Sequence, residues 1–188
     1  MEDKIKSILE ENIRVKEAIK DLAPQIRKVS EEIIKAYRNK KKVVLFGNGG
    51  SAADAQHIAT EFVGKFYKNR EPLPSLAFTT NTSSITATAN DFGFDLIFER
   101  QVNAFIEKGD IVIGISTSGN SPNVIRGLER AKEKGAVTVG MTGQNQNDIE
   151  KIVNYCLKIP STDTPRIQEG HITVGHIICY LVEDALFE

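Results

Sequence analysis

The sequence predicts an α/β fold: a three-layer α/β/α arrangement around a five-stranded parallel sheet in the order 2-1-3-4-5, with an N-terminal helical arm. Three observations carry this reading. Short runs that are apolar on both faces alternate with segments of helical period, the pattern of parallel strands covered on each side. Two of those runs end in small polar loops, Gly47-Asn48-Gly49-Gly50-Ser51 and Ser116-Thr117-Ser118-Gly119-Asn120-Ser121. In the order 2-1-3-4-5 the sheet reverses between its first and third strands, so the two loops would stand side by side at the switch point where open α/β sheets bind ligands. Finally, 188 residues suit a single domain, 1–188, with a full core, of which 1–38 form the helical extension.

Taken in order, residues 3–38 have helical period. Ile5, Ile8, Leu9, Ile19 and Leu22 can line one stripe, and Ile26, Val29, Ile33, Ile34 and Tyr37 a second, with Pro24 dividing the helices or opening the second. The arm either packs on its own sheet or meets another subunit. The first strand is 43–46, followed by the first loop and a helix over 52–66. Pro72 and Pro74 flank the start of a second strand over 73–79. Residues 81–90 read as a short helix, Asn90-Asp91-Phe92-Gly93 as a turn, and 96–106 as a helix. The third strand ends at the second loop, and a helix over 123–134 stops at Gly135. A fourth strand over 136–141, a short helix over 148–153, a fifth strand over 155–159 and a final helix over 165–187 complete the chain, the last with Thr164 as its cap and Pro165 just inside.

The bulk properties exclude several classes. The net charge of −1 is spread along the chain, which argues against nucleic acid as a partner. No run approaches the roughly 18 apolar residues of a membrane span, and the N-terminus lacks a signal core, so a cytoplasmic protein is expected with no membrane partner. Cys156 and Cys179 lie in apolar runs without metal spacing and read as reduced thiols. Neither GxGxxG nor GxxxxGK[ST] occurs, so dinucleotide and P-loop nucleotide sites are not expected. The Asp91-Phe92-Gly93 triplet lacks its kinase companions.

Three Ser and one Thr within residues 116–121 present hydroxyls and backbone N–H groups at a helix start, which favours an anion such as phosphate. Capping by Ser121 with Pro122 at the first helical position accounts for those two residues but not for Ser116, Thr117 and Ser118. In the first loop Ser51 and Asp54 form an S-x-x-D capping box, while Gly49 and Gly50 allow close backbone approach to a ligand. His57 and Glu61 are four apart on one helix face, as a metal pair or a base with its partner would be. Glu61 stands roughly 15 Å along that helix, at about 1.5 Å per residue, so it reaches a ligand on the loop only if the substrate is long or another subunit supplies it. On the final helix Gln168 and His176 lie near one face and His171 points elsewhere; a histidine buried among Ile172, Val174, Ile177, Ile178 and Leu181 would need a partner.

Four separated stretches, GNGGSAADAQHIATEF, ANDFG, ISTSGNSPNVI and DTPRIQEGHITVGHI, occur in the order found in the phosphoheptose isomerases of the sugar isomerase (SIS) fold, and the chain resembles that family from end to end. The resemblance implies a cytoplasmic homotetramer that converts sedoheptulose 7-phosphate to D-glycero-D-manno-heptose 7-phosphate for bacterial heptose and surface-polysaccharide synthesis. It implies a phosphate site at Ser116, Thr117, Ser118 and Ser121, a first loop lined by Asn48, Gly49, Gly50 and Ser51, and sugar contacts at Asn90 and Asp91. By the same resemblance Glu61 and His176 match the acid/base pair, and His57, Glu61, Gln168 and His176 match a zinc set, one ion per subunit. Gln is an unusual zinc ligand, and a ligated Glu61 is a weaker base. Lys65 stands where the family often has Arg, and Pro165 where some members have Asp, so neither role carries over unchanged. Two other readings compete: a non-catalytic relative that binds the replication initiator, and a sugar-phosphate-sensing module. Glu61 and His176 favour the enzyme over the first. The chain length leaves no room for the domain to which such sensors are fused.

Overall fold

The computed structural model describes residues 1–187. Five strands, β1 (Val43–Gly47), β2 (Ser75–Ala77), β3 (Ile111–Ile115), β4 (Val137–Gly143) and β5 (Tyr155–Ile159), form one parallel sheet in the order β2-β1-β3-β4-β5. Val43 lies opposite Ile111, and Ile111 opposite Val137, so the three central strands start level. The loops after β1 and β3 therefore emerge together, as the sequence predicts. Successive side chains along a strand point to opposite faces. Thus Val43 and Leu45 enter one apolar layer with Ile33, Ile58 and Val174, while Val44 and Phe46 enter the other with Phe98 and Leu128.

The helices are α1 (Glu2–Ile19), α2 (Ala23–Arg38), α3 (Gly50–Val63), α4 (Thr82–Phe92), α5 (Ile97–Phe105), α6 (Pro122–Glu133), α7 (Asp148–Ile152) and α8 (Thr164–Leu186). A 3₁₀ turn, Lys20–Leu22, joins α1 to α2, and Pro24 sits in the first turn of α2, where its missing N–H costs nothing. The α2 stripe is buried as expected at Ile26, Val29, Ile33 and Tyr37. The α1 stripe is not: Val15 and Ile19 are buried, but Ile5, Ile8 and Leu9 are exposed, together with Ile13. The first turns of α1 are held instead by polar contacts to α8. Asn12 donates to Glu169, and Arg166 donates to the Ile8 carbonyl at 3.0 Å.

Other boundaries shift for local reasons. The strand expected over 73–79 shortens to three residues because Pro74 has no N–H for the ladder and Leu73 donates to the Phe62 carbonyl. Asn90-Asp91-Phe92 is the last turn of α4 rather than a turn of its own, and Gly93 at φ 95° ends it. Thr164 is the first residue of α8, with Asp163 at the cap position. Cys156 and Cys179 are free thiols, as expected, and burial pushes Cys179 up to about 12. Among the described residues no helix is long and apolar enough to cross a membrane.

One buried ion pair ties the end of α8 to the segment after α3. The Arg70 Nε donates to Glu183 at 2.7 Å, and both side chains are 2% exposed. The backbone N–H groups of Phe66, Tyr67 and Lys68 donate to the same carboxylate at 3.0, 2.7 and 2.9 Å. Burial pushes Glu183 up, but the N–H groups of Lys68, Phe66 and Tyr67 and the Arg70 guanidinium outweigh it and hold the carboxyl at about 2 instead of 4.5. A depressed carboxyl contributes stability that is complete above about pH 4.5 and is lost as pH falls toward 2. His171 acts earlier: burial lowers it from 6.5 to about 4, so uptake of its proton favours the unfolded chain as pH falls through that interval. Acidification is therefore expected to lower the urea midpoint in two stages, and Glu183→Gln to remove the lower stage. Parallel losses in the two proteins between about pH 4.5 and pH 2 would count against this assignment.

Candidate active site

The loop after β3 is a network of hydroxyls. The Ser116 and Ser121 Oγ atoms share a hydrogen bond of 2.9 Å, and Ser116 and Ser118 Oγ lie 3.4 Å apart. Gly119 N donates to Ser116 Oγ at 3.2 Å, and Asn120 N donates to Ser118 Oγ at 3.2 Å. Ser121 occupies the cap position of α6, yet its hydroxyl makes no capping bond and turns to Ser116 instead. The capping explanation thus fails for its hydroxyl; Pro122 has no N–H, and Val124 N donates to the Ser121 carbonyl at 3.1 Å and to Asn123 Oδ1 at 3.0 Å, so the hydroxyl cluster is what the loop offers an anion. Thr117 and Ser118 line a cavity of about 180 Å³ with Gly143, Gln144, Ser161 and Thr164.

The loop after β1 is joined to this one by a reciprocal amide pair. Asn48 Nδ2 donates to Asn123 Oδ1, and Asn123 Nδ2 donates to Asn48 Oδ1, each at 2.9 Å. Gly49 takes φ 55°, a conformation that favours glycine, and caps α3. Ser51 lies inside the first turn, buried, so it is not the cap that the S-x-x-D spacing predicts. Asp54 is left without that role. Its Oδ2 is buried with no hydrogen-bond partner, and burial, opposed by His57, raises its carboxyl to about 6. An uncommitted carboxylate between the first loop and His57 is a functional candidate that the capping pattern concealed.

Helices α3 and α8 run side by side in the same direction. Gln168 packs against Gly50, where a Cβ would overlap its amide, and Gly175 packs against Ile58, whose Cδ1 would stand 2.6 Å from a Cβ there. This alignment brings His176 to His57 and Glu61 within a single chain, which the sequence left open. His57 Nε2 lies 3.1 Å from Glu61 Oε1 and 3.2 Å from His176 Nε2. One ligand atom from each of the three lies within 4.8 Å of the others. Two ring nitrogens this close require a proton or a cation between them. Tetrahedral ligands at about 2.05 Å from zinc stand roughly 3.3 Å apart, so the spacing and the two-imidazole, one-carboxylate donor set fit that ion. The Phe66 ring backs His176 at 5.6 Å.

The remaining candidates lie elsewhere. Gln168 is at the first loop, where it covers Gly50. Asn90 donates to Asp91 at 2.8 Å on the exposed end of α4, and Asp91 lines a separate cleft of about 300 Å³ with Arg100 and Gln101. His171 is fully buried and donates from Nε2 to the Thr142 carbonyl at 3.3 Å, which gives it the partner its surroundings demand.

The chain is similar to known proteins over nearly its whole length. Residues 9–143 match the SIS domain family. The chain is 54% identical to a phosphoheptose isomerase of Aneurinibacillus thermoaerophilus, covering all of this chain and 96% of that one. It is 53% identical to the phosphoheptose isomerase of Aquifex aeolicus, covering 100% and 99%. The solved phosphoheptose isomerase of Neisseria gonorrhoeae superposes with a TM-score of 0.92 at 36% identity, covering 97% of this chain and 98% of that one. With its fold, its paired loops and its full-length likeness to these enzymes in agreement, the chain belongs to the SIS domain family and, within it, to the phosphoheptose isomerases.

Proposed function

We propose that the protein interconverts sedoheptulose 7-phosphate and D-glycero-D-manno-heptose 7-phosphate in the cytoplasm, supplying heptose for bacterial surface polysaccharide. The observation that carries this is the meeting of His57, Glu61 and His176 in a chain more than half identical to phosphoheptose isomerases. The phosphate is held by Ser116, Thr117, Ser118 and Ser121, with Asn48, Gly49, Gly50 and Ser51 lining the other wall. Asn90, Asp91 and Gln168 contact sugar oxygens.

The isomerisation moves hydrogen between neighbouring carbons. Glu61 removes a proton from C1 to give an enediol and returns it to C2. His176 gives a proton to the C2 oxygen and takes one from the C1 oxygen, so the charges balance in each half. His57, Glu61 and His176 would hold one zinc ion per subunit, while Gln168, expected as a fourth ligand, lies at Gly50 instead. Zinc, when bound, supplies Lewis-acid polarisation of the substrate oxygens.

Along α3, Glu61 stands eleven residues beyond Gly50, roughly 16 Å at about 1.5 Å per residue. This separation supports a site that draws on more than one copy of the chain. The exposed ridge of Ile5, Leu9 and Ile13 on α1, with Tyr180 and Leu181 on α8, supplies apolar surface for a homotetramer. Light scattering on the eluting protein is expected to give four times the chain mass.

The direct test is incubation with sedoheptulose 7-phosphate, with and without a chelator, followed by product analysis. The aldose phosphate is expected in the untreated arm, with loss on chelation and recovery on adding zinc. No aldose in any arm would overturn the assignment, and full activity with chelator would remove the metal from it. Ser118→Ala is expected to raise KM for the phosphorylated sugar several-fold with little change in kcat, since it removes an anion contact and leaves the acid/base pair intact. An unchanged KM would take Ser118 out of the cradle.

A further inference from the structure

The last carbonyls of a helix have no intrahelical partner. In α3 two of them, those of Glu61 and Phe62, are taken by one side chain. Arg70 Nη2 donates to the Glu61 carbonyl at 2.8 Å and Nη1 to the Phe62 carbonyl at 2.9 Å. The third edge of the guanidinium, Nε, is bound by Glu183 of α8, the helix that carries His176. Glu183 in turn gathers the N–H groups of Phe66, Tyr67 and Lys68, and Phe66 is the ring that backs His176. A single buried ion pair therefore grips the peptide of Glu61 on one side and the support of His176 on the other.

Stability alone is a poor explanation for this arrangement, because a buried ion pair is often no better than apolar residues of the same volume. Its geometry is specific to arginine. The planar fork serves four acceptors at once, Glu183 and the carbonyls of Glu61, Phe62 and Glu71, which an ammonium group on a flexible stem does not reproduce. We propose that Arg70, braced by Glu183, is a positioning residue for the isomerisation: it fixes the distance between Glu61 and His176 by locking the end of α3 to α8. The proposal rests on the assignment of those two groups as the acid/base pair.

The test compares Arg70→Lys and Glu183→Gln with Asp110→Asn, assayed on purified folded protein well below each melting temperature. Asp110 is a matched control. It is 1% exposed and paired with Lys42 at 2.6 Å, and it also accepts from the backbone N–H groups of Lys42 and Glu107, none of which is on α3 or α8. Arg70→Lys and Glu183→Gln are expected to lower kcat at least tenfold with KM within about twofold, since the phosphate cradle is untouched. Asp110→Asn is expected to lose comparable melting temperature and keep kcat within about twofold. Arg70→Ala is expected to regain part of its kcat in millimolar guanidinium. Equal kcat losses in all three, or wild-type kcat in Arg70→Lys, would reduce the pair to ordinary stabilisation and overturn the proposal, while wild-type isomerase activity would still stand. Should the brace variants fail to fold, hydrogen exchange on the wild-type protein decides: amides of Phe66, Tyr67 and Lys68 protected as strongly as the core of α8 support the brace, and exchange at loop rates overturns it.

Discussion

Glu61→Gln is expected to lower turnover by about 10²-fold or more, with the melting temperature close to wild type. The amide keeps the shape of the carboxylate and can still accept a hydrogen bond from His57, but it cannot take a proton from carbon. Glu61 lies on the surface of α3, with a side chain 21% exposed, so neutralising it leaves no buried charge stranded. The measurement is kcat for the ketose phosphate together with exchange of the C1 hydrogen in deuterated water. If exchange and turnover both survive, the base is another group, and the uncommitted carboxylate of Asp54 is the next to test.

Gly119→Ala is expected to damage binding and stability together. Gly119 takes φ 68°, where an L-residue costs about 1–2 kcal/mol. An added Cβ there would also overlap the Asn147 side chain. Asn147 caps α7 by accepting from Glu150 N at 3.0 Å, and the Gly119 carbonyl accepts from Ile149 N at 3.1 Å. Pushing Asn147 aside forfeits a cap that is worth about 1 kcal/mol, so a total loss of about 2–3 kcal/mol follows. Gly119 N also orients Ser116 Oγ, so KM for the phosphorylated sugar should rise about tenfold, equivalent to about 1.4 kcal/mol of binding. Urea unfolding and steady-state kinetics on the same preparation check both parts. Wild-type values for both would mean that the loop relaxes around the methyl group.

The sheet order and both loops were legible in the sequence because each depends on local signals: apolar runs, glycines and helix starts spaced along the chain. The α2 stripe was legible for the same reason. The α1 stripe misled because periodicity reports that a face is apolar and not what covers it, and Ile5, Ile8 and Leu9 face outward from this chain. Ser51 misled because a capping box at Ser51 and a first turn capped by Gly49 draw on the same short stretch two positions apart. The pairing of His57 with Glu61 could be read from a spacing of four, but the arrival of His176 depends on how α8 lies against α3. Arg70 and Glu183, separated by 113 positions, left no local signature at all.

The burial of His171 has a practical consequence for spectroscopy. The chain has three histidines, and two of them meet at the candidate active site. The third is sealed in the core, hydrogen-bonded to Thr142, and held neutral well into the acid range. In a proton spectrum near neutrality it serves as an internal standard. An imidazole resonance that shifts when zinc is added is then assigned to His57 or His176, so metal occupancy of the site can be followed in the wild-type protein without a label.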